Sequence, residues 1–428
     1  MSCPVPPTSG VKLKNTRDVA FIVNAYSYRN AGDAAIMLST SQVLRDVGYK
    51  RILLSTRYLE DAPEYSKANV EVIPSVVAFP TKGTMAESLR SLTFMAGAFT
   101  LICALSVPSL LRYNQYYRRA LCRLFPRIKM LALGARPVVA GGGYLYSSKR
   151  VLNLSLLHSI LSIWVCSRLH EDVLCMPSSV GPLDKNIDRI LVEYVFKKIS
   201  VTLRETKSIE ASSRRPILAK SELCPDVAFY GHESGAPGLQ EDVTRDGPVV
   251  RIVAMDWSWS KSVRAGAMEA YVQGLARVGD MLIDKGINVV LGGHSAIPEH
   301  GQQDLSVCAL IARHMKHVPT IDANCDVYHL AHSYSNVDVV VATRLHAAIM
   351  ATAAETPTVV LGYQEKARGI VESWLDGTNW FAVDSFDADE VVNSCLSALD
   401  SEAKQKAAIL SKRLKVQILG VYRDRVPS

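Results

Sequence analysis

The chain has 428 residues, 48% hydrophobic and 21% charged, with a net charge of +7. These proportions exclude a disordered chain and give room for two or three globular domains. The modest charge, without a long Lys/Arg block, speaks against nucleic acid as a partner and is compatible with an anionic substrate or membrane surface. Nine dispersed Cys with no C-x-x-C pair argue for free thiols in a reducing compartment and against a zinc site or disulfide scaffold. Met1–Asn15 is polar and Pro-containing with no apolar core, so residues 1–17 read as a flexible lead-in and not a signal peptide. Asp18–Asn24 predicts the first strand. Ala25–Ile36 is then a turn holding Asn30, Gly32 and Asp33, with a helix beginning near Asp33. That is a phosphate- or sugar-binding position in such folds, although Asp33 would also serve as a plain helix cap. No G-x-G-x-x-G is present, so dinucleotide binding is not supported.

Arg51–Ser55 and Val70–Pro74 predict further strands. Ser91–Leu111 then carries no charge and is flanked by Arg90 and Arg112. Its length would cross a bilayer, but the strands on either side belong to one sheet and Pro108 interrupts it. A buried or domain-packing helix is the favoured reading. An interfacial hairpin comes next, for which the basic cluster Arg112, Arg118, Arg119, Arg123, Arg127 and Lys129 suits an anionic leaflet. Pro137–Ala140 resumes the strands, and Gly141, Gly142 and Gly143 follow, where backbone can approach a ligand closely. Val151–Val165 predicts a helix and Asp172–Met176 a strand ending in a Pro177–Pro182 loop. Ser200–Leu203 ends at Arg204, and Asp226 precedes the apolar Val227–Phe229. Both charged residues terminate short strands, where ligand-facing groups gather; the alternative is an Arg–carboxylate pair tying loops together.

Gly231–Pro248 is rich in Gly, Pro and charge and lacks periodicity, which predicts a linker. The expected units are residues 18–236, a linker at 237–248, and 249–428. Val249–Met255 predicts a strand, followed by Trp257 and Trp259, whose rings suit a sugar face or a domain contact, and by Lys261, which suits a phosphate. Ala265–Asp284 is a helix, Ile287–Leu291 a strand ending in Gly292-Gly293-His294, and Asp304–His314 a helix. Val337–Ala342 is an apolar strand, Thr343 a candidate cap, Leu345–Ala354 a helix and Thr358–Leu361 a strand. Arg344 and His346 occupy the first strand-to-helix turn, and Tyr363 and Lys366 follow the second strand. Ligands of open parallel sheets sit beyond the carboxyl ends of strands, so these residues face one crevice. Two cations, an imidazole and a helix N-terminus suit a small polyanion. Phe381–Val383 predicts a last strand, and a long C-terminal helix or helix pair starts at Ala388. The fold class is α/β, with two Rossmann-like parallel-sheet domains facing a crevice.

NAYSYRNAGDAAI, VVAGGGYLY, PSSVGPL, VTLRETKSIE, CPDVAF, ATRLHAAIMA and GYQEKARG occur in this order between Asp18 and Trp380. On these stretches the chain resembles the polysaccharide pyruvyltransferases, His346 followed by Lys366 being the most specific part. The resemblance implies a GT-B-like fold and transfer of pyruvate from phosphoenolpyruvate to a sugar hydroxyl pair, as a cyclic ketal, in cell-surface polysaccharide biosynthesis. It associates Arg204, His346 and Lys366 with the donor; Arg344 adjoins them. Ala34 and Glu205 stand where the family usually carries acidic residue and Asp, and Ser91–Leu111 is long, which bears most on the acceptor.

Phosphoenolpyruvate is a carboxylate and a phosphate, so it needs fixed cations, and ketal formation needs a proton at the methylene carbon. His346 is the expected acid, its pKa raised by the donor phosphate against the helix dipole. Asp33 or Asp226 is a candidate for taking the hydroxyl proton. Asn30, Gly142, Gly143, Trp257 and Tyr363 are the acceptor-side candidates. No metal and no cofactor is expected beyond the co-substrate. The expected partners are phosphoenolpyruvate and a saccharide or lipid-linked saccharide; a homo-oligomer is compatible with the sequence. The expected setting is cytoplasmic, at the inner face of a bacterial plasma membrane. Two other readings remain: a nucleotide-sugar-dependent GT-B glycosyltransferase, separable by donor screening, and a catalytically silent, membrane-associated saccharide-binding protein that would tolerate neutralisation of Arg204, Arg344 and Lys366.

Overall fold

In the computed structural model, the described residues are 18–77, 100, 105–106, 115–146, 153–197, 199–206, 208, 221–232, 247–257, 266–297, 302–362, 365–375 and 380–425. The expected lead-in, most of Ser91–Leu111, most of the linker, Trp259, Lys261 and Tyr363 lie outside them.

The first half contributes β1 (Val19–Ala25), β2 (Arg51–Thr56), β3 (Val70–Pro74), β4 (Arg136–Val139), β5 (Gly142–Leu145), β6 (Leu174–Cys175), β7 (Ser178–Val180), β8 (Thr202–Leu203) and β9 (Glu222–Leu223). A five-stranded parallel sheet runs β3-β2-β1-β4-β6. Its central strand β1 is almost wholly buried, as expected of a strand covered on both faces. A second parallel sheet runs β5-β7-β8-β9. The chain passes from one sheet to the other at Ala140–Gly141 and again at Met176–Pro177. A Cβ at Gly141 would lie 2.8 Å from the Pro177 carbonyl oxygen, so only glycine lets these two bends nest.

The second half supplies β10 (Val249–Val253), β11 (Asn288–Gly292), a short antiparallel pair β12 (Ala296–Ile297) and β13 (Gln302–Gln303), then β14 (Thr320–Asp322), β15 (Val339–Ala342), β16 (Thr358–Gly362) and β17 (Trp380–Ala382). Its six-stranded sheet runs β14-β11-β10-β15-β16-β17, parallel throughout. Both large sheets therefore reverse their strand order beside the first strand of each half, between β1 and β4 and between β10 and β15. Such switch points open a crevice at the carboxyl ends of the strands.

The helices that matter for the crevice are α1 (Ala31–Asp46), α2 (Asp304–His314), α3 (Val327–Ser335), α4 (Leu345–Ala353), α5 (Glu365–Trp374) and α6 (Ser401–Arg423). One continuous buried cluster joins the halves, from Ala20, Ile22, Ala34 and Ile36 to Val340, Ala347, Ile349 and Tyr422. The C-terminal α6 carries Tyr422 back to the first half, where its hydroxyl donates to the Cys175 carbonyl oxygen at 3.0 Å. No helix among the described residues is long and apolar enough to cross a membrane. Every described cysteine is a free thiol.

Several local expectations change. Val227–Tyr230 is a 3-10 helix and not a strand, because the Asp226 carboxylate caps it, accepting from the Ala228 amide at 2.9 Å. Asn30, and not Asp33, caps α1, accepting from the Gly32 amide at 3.1 Å. Thr343 does not cap α4; its hydroxyl pairs with Tyr271 at 2.8 Å, and the cap position falls to Arg344 without a side-chain bond.

Candidate active site

The turn after β1 and the turn after β15 meet face to face. Asn30 pairs with Ser295 as an isolated antiparallel bridge between the halves, and the Tyr28 hydroxyl donates to Asp326 at 3.0 Å. His346, in the first turn of α4, lies against Gly32 in the first turn of α1. A Cβ at Gly32 would come 2.5 Å from His346 Nδ1 and 2.8 Å from its Cβ. Because the second clash is with an atom anchored to the backbone, the two helices can close only over a glycine. Gly32→Ala is therefore expected to lower kcat/KM by about 10–100-fold, the effect of moving a reacting group by a few tenths of an ångström to 1 Å. The measurement is steady-state kinetics beside a melting curve; unchanged kinetics would remove this contact from the site.

The charges around His346 come from both halves. Arg204, 4% exposed, donates from Nε to Ser179 Oγ at 2.7 Å and from NH1 to Asp226 Oδ2 at 2.5 Å. Glu205 is not a spare acid: it accepts from Ser179 Oγ at 2.7 Å and from Ser208 Oγ, which in turn takes the Val180 amide. Arg344 makes a two-pronged pair with buried Asp304, Nε to Oδ2 at 2.6 Å and NH2 to Oδ1 at 2.8 Å. The electrostatic consequence is a reversal of ordinary protonation. Burial, with Arg204 and Arg344 adding to it and Asp226 opposing it, pushes His346 down to about 4. Burial also lifts Asp33 to about 7, Asp226 adding and the same two arginines opposing. These shifts favour a protonated carboxyl and a neutral imidazole in weakly acidic solution. His346 Nε2 is buried with no hydrogen-bond partner among the described residues.

The structure thus brings Arg204, Asp226, Asp33, Arg344 and His346 together. Gly143 belongs with them, since a Cβ there would lie 2.9 Å from Arg204 NH2. Gly142 sits in β5, its amide bonded to the Pro177 carbonyl oxygen. Lys366 lies in the first turn of α5, whose last residue, Trp374, donates its indole N–H to the Arg204 carbonyl oxygen at 2.6 Å. Asn30 spends its side chain on the cap of α1. Trp257 requires a correction: it is 3% exposed and packs edge-on against Tyr271 with ring centroids 6.0 Å apart. Its ring is part of the second half's core and is not available to a sugar.

Two residues near the site carry more than the sequence indicated. His294, two residues after β11, is 1% exposed, with Nδ1 3.0 Å from the Tyr334 hydroxyl. Burial first, then Arg344, His346 and Arg251, holds it well below the ordinary histidine range. Asp304 had been legible only as the start of a helix. Among the described residues, no group of three or more His, Cys, Asp or Glu could hold a metal ion.

Two large parallel sheets, meeting strand end to strand end around buried cations, make a two-domain α/β fold of the GT-B type. The sequence profile described as polysaccharide pyruvyl transferase matches residues 30–365, and the chain belongs to that family. Solved structures share the fold at low identity. A glycosyltransferase from Rickettsia africae ESF-5 is 11% identical with a TM-score of 0.52, covering 96% of this chain and 98% of its own. A putative UDP-N-acetylglucosamine 2-epimerase from Listeria monocytogenes is 10% identical at 0.53, covering 95% and 96%. The UDP-GlcNAc 2-epimerase from Neisseria meningitidis, bound to UDP-GlcNAc, is 10% identical at 0.53, covering 95% and 98%. No curated protein sequence matches.

Proposed function

We propose that this transferase moves pyruvate from phosphoenolpyruvate to a pair of hydroxyls on a saccharide or lipid-linked saccharide, forming a cyclic ketal in cell-surface polysaccharide biosynthesis. One observation carries the reading: at the facing switch points of two sheets, a half-buried imidazole, its buried Nε2 unpartnered among the described residues, sits among Arg204, Arg344 and a carboxyl poised near neutrality. A carboxylate-phosphate donor matches such a set, because its charges are compensated by fixed guanidinium groups. Arg204, Arg344 and Lys366 bind the donor, and the dianionic phosphate raises His346 back into the range where it holds a proton.

His346 then protonates the methylene carbon, and C2 becomes oxocarbenium-like. A sugar hydroxyl attacks C2 and gives its proton to Asp33; the C2–O bond to phosphate breaks, and the second hydroxyl closes the ring. Of the two hydroxyl protons, one replaces that given to the methyl group and the other leaves with phosphate, so the cycle balances. A carboxyl near 7 is well matched to taking a proton in neutral solution. Asn30, through its backbone, Gly142, Gly143 and Tyr363 are the acceptor-side candidates in this reading. The scheme calls for no metal or cofactor. A lipid-linked acceptor would bring the protein to the inner face of the plasma membrane as a peripheral protein.

The test is incubation with phosphoenolpyruvate and candidate saccharides, including lipid-linked ones, with release of phosphate and a ketal on the product as readouts. Calorimetry adds a pH arm. If the donor raises His346, binding takes up a proton, so affinity should tighten as pH falls from about 8 to about 6. Binding of nucleotide sugars in place of phosphoenolpyruvate would sink the proposal.

A further inference from the structure

Asp304, the first residue of α2, is fully buried, and its carboxylate serves the carboxyl ends of neighbouring strands. Oδ1 accepts from the Asp256 amide at 3.3 Å, after β10. Oδ2 accepts from the His294 amide at 3.1 Å and the Ser295 amide at 3.0 Å, after β11. Both oxygens hold Arg344, after β15, at 2.6 Å and 2.8 Å. The pairing fixes the plane of the guanidinium, since a two-pronged contact removes the rotation a single bond would leave. The effect reaches the other half of the molecule, because Ser295 is the residue bridged to Asn30. Arg344 in turn acts electrostatically on Asp33 and His346. Turns belonging to separate βα units are thus tied to one buried carboxylate that touches none of the reacting groups.

We propose that Asp304 is the positioning residue for Arg344: its carboxylate aims that guanidinium and ties it to the His294–Ser295 turn that meets Asn30 across the crevice. The part concerning donor affinity rests on the pyruvyl-transfer reading; the part concerning Arg344 and the turn does not. Asp304→Asn keeps the size and removes the charge. Phenylglyoxal labelling of Arg344, read by peptide mass spectrometry, is expected to accelerate about 10-fold once the charge-assisted pair is broken. Amide exchange should rise in peptides covering Gly293–Ser295 and Asn30, with peptides from the distal β2–β3 region unchanged. The KM for phosphoenolpyruvate should rise about 10-fold or more with a smaller change in kcat, and should rise less than about 3-fold further when Asp304→Asn is added to Arg344→Gln.

That non-additivity is what a merely structural role would not produce. Equal effects of Asp304→Asn with and without Arg344 would overturn the proposal, as would unchanged labelling and exchange. If Asp304→Asn does not fold, Asp304→Glu shifts the carboxylate by one methylene, and Arg344 labelling must rise in it too. Should the wild-type protein bind no phosphoenolpyruvate, the functional reading falls, while labelling and exchange still decide the role of Asp304.

Discussion

Replacing His346 by alanine is expected to lower kcat by about 10²–10⁴-fold, the usual contribution of a positioned general acid, while the melting temperature changes little. Activity should collapse because His346 opens α4 at the carboxyl end of β15 and reaches over Gly32, the one imidazole this reading places over the donor. Stability should hold because burial favours the neutral imidazole and its Nε2 makes no hydrogen bond among the described residues, so its loss leaves none of them unsatisfied. His346→Asn separates the proton from the volume. An amide fills much of the same space and cannot deliver a proton, so it should be nearly as inactive as alanine. The wild-type pH profile should carry a basic limb from the imidazolium in the donor complex, and neither variant should retain it. Near-normal turnover in a well-folded His346→Ala protein would remove this residue from the mechanism.

Much of the fold was legible because strands buried on both faces read as continuous apolar runs. Val249–Met255 and Val337–Ala342 became β10 and β15 with trimmed ends, and Asp304–His314 formed as a helix over the whole predicted range. The switch-point placement of Asp33, Gly142, Arg344 and His346 follows from alternation alone, since topology and not contact puts the residue after a strand at the crevice. What stayed hidden depends on partners distant in sequence. Thr343 looked like a cap from its neighbours, but its hydroxyl pairs with Tyr271 from another helix. Trp257 looked like a crevice residue, but Tyr271 and the second core bury it. The pair of Arg344 with Asp304 joins positions 40 apart in the chain, which no local pattern encodes. The split into a second small sheet rests on the contact of Gly141 with Pro177, again a relation between distant turns.

Arg204 is where stability and function should come apart most cleanly. Its guanidinium and the Asp226 carboxylate are both almost fully buried and 2.5 Å apart. Removing one partner of such a pair leaves an uncompensated charge and costs about 3–5 kcal/mol, whereas replacing both is often close to neutral. Arg204→Met should therefore be destabilised by that amount in chemical denaturation and should lose activity. Asp226→Asn in the same background should recover part of the stability, because the amide can still accept from the Ala228 amide and position 226 no longer carries an uncompensated charge, while buried Glu205, 3.7 Å from Arg204 Nε in the wild type, keeps only the Ser179 and Ser208 hydroxyls. Activity should not return, since the donor's compensating cation is still missing and Asp33 and His346 have lost the neighbours that set their protonation. A double variant that is stable and still unable to bind phosphoenolpyruvate assigns Arg204 to the donor. A double variant that regains both stability and turnover reduces Arg204 to a tie between β8 and the Asp226 turn, the alternative its sequence position always allowed.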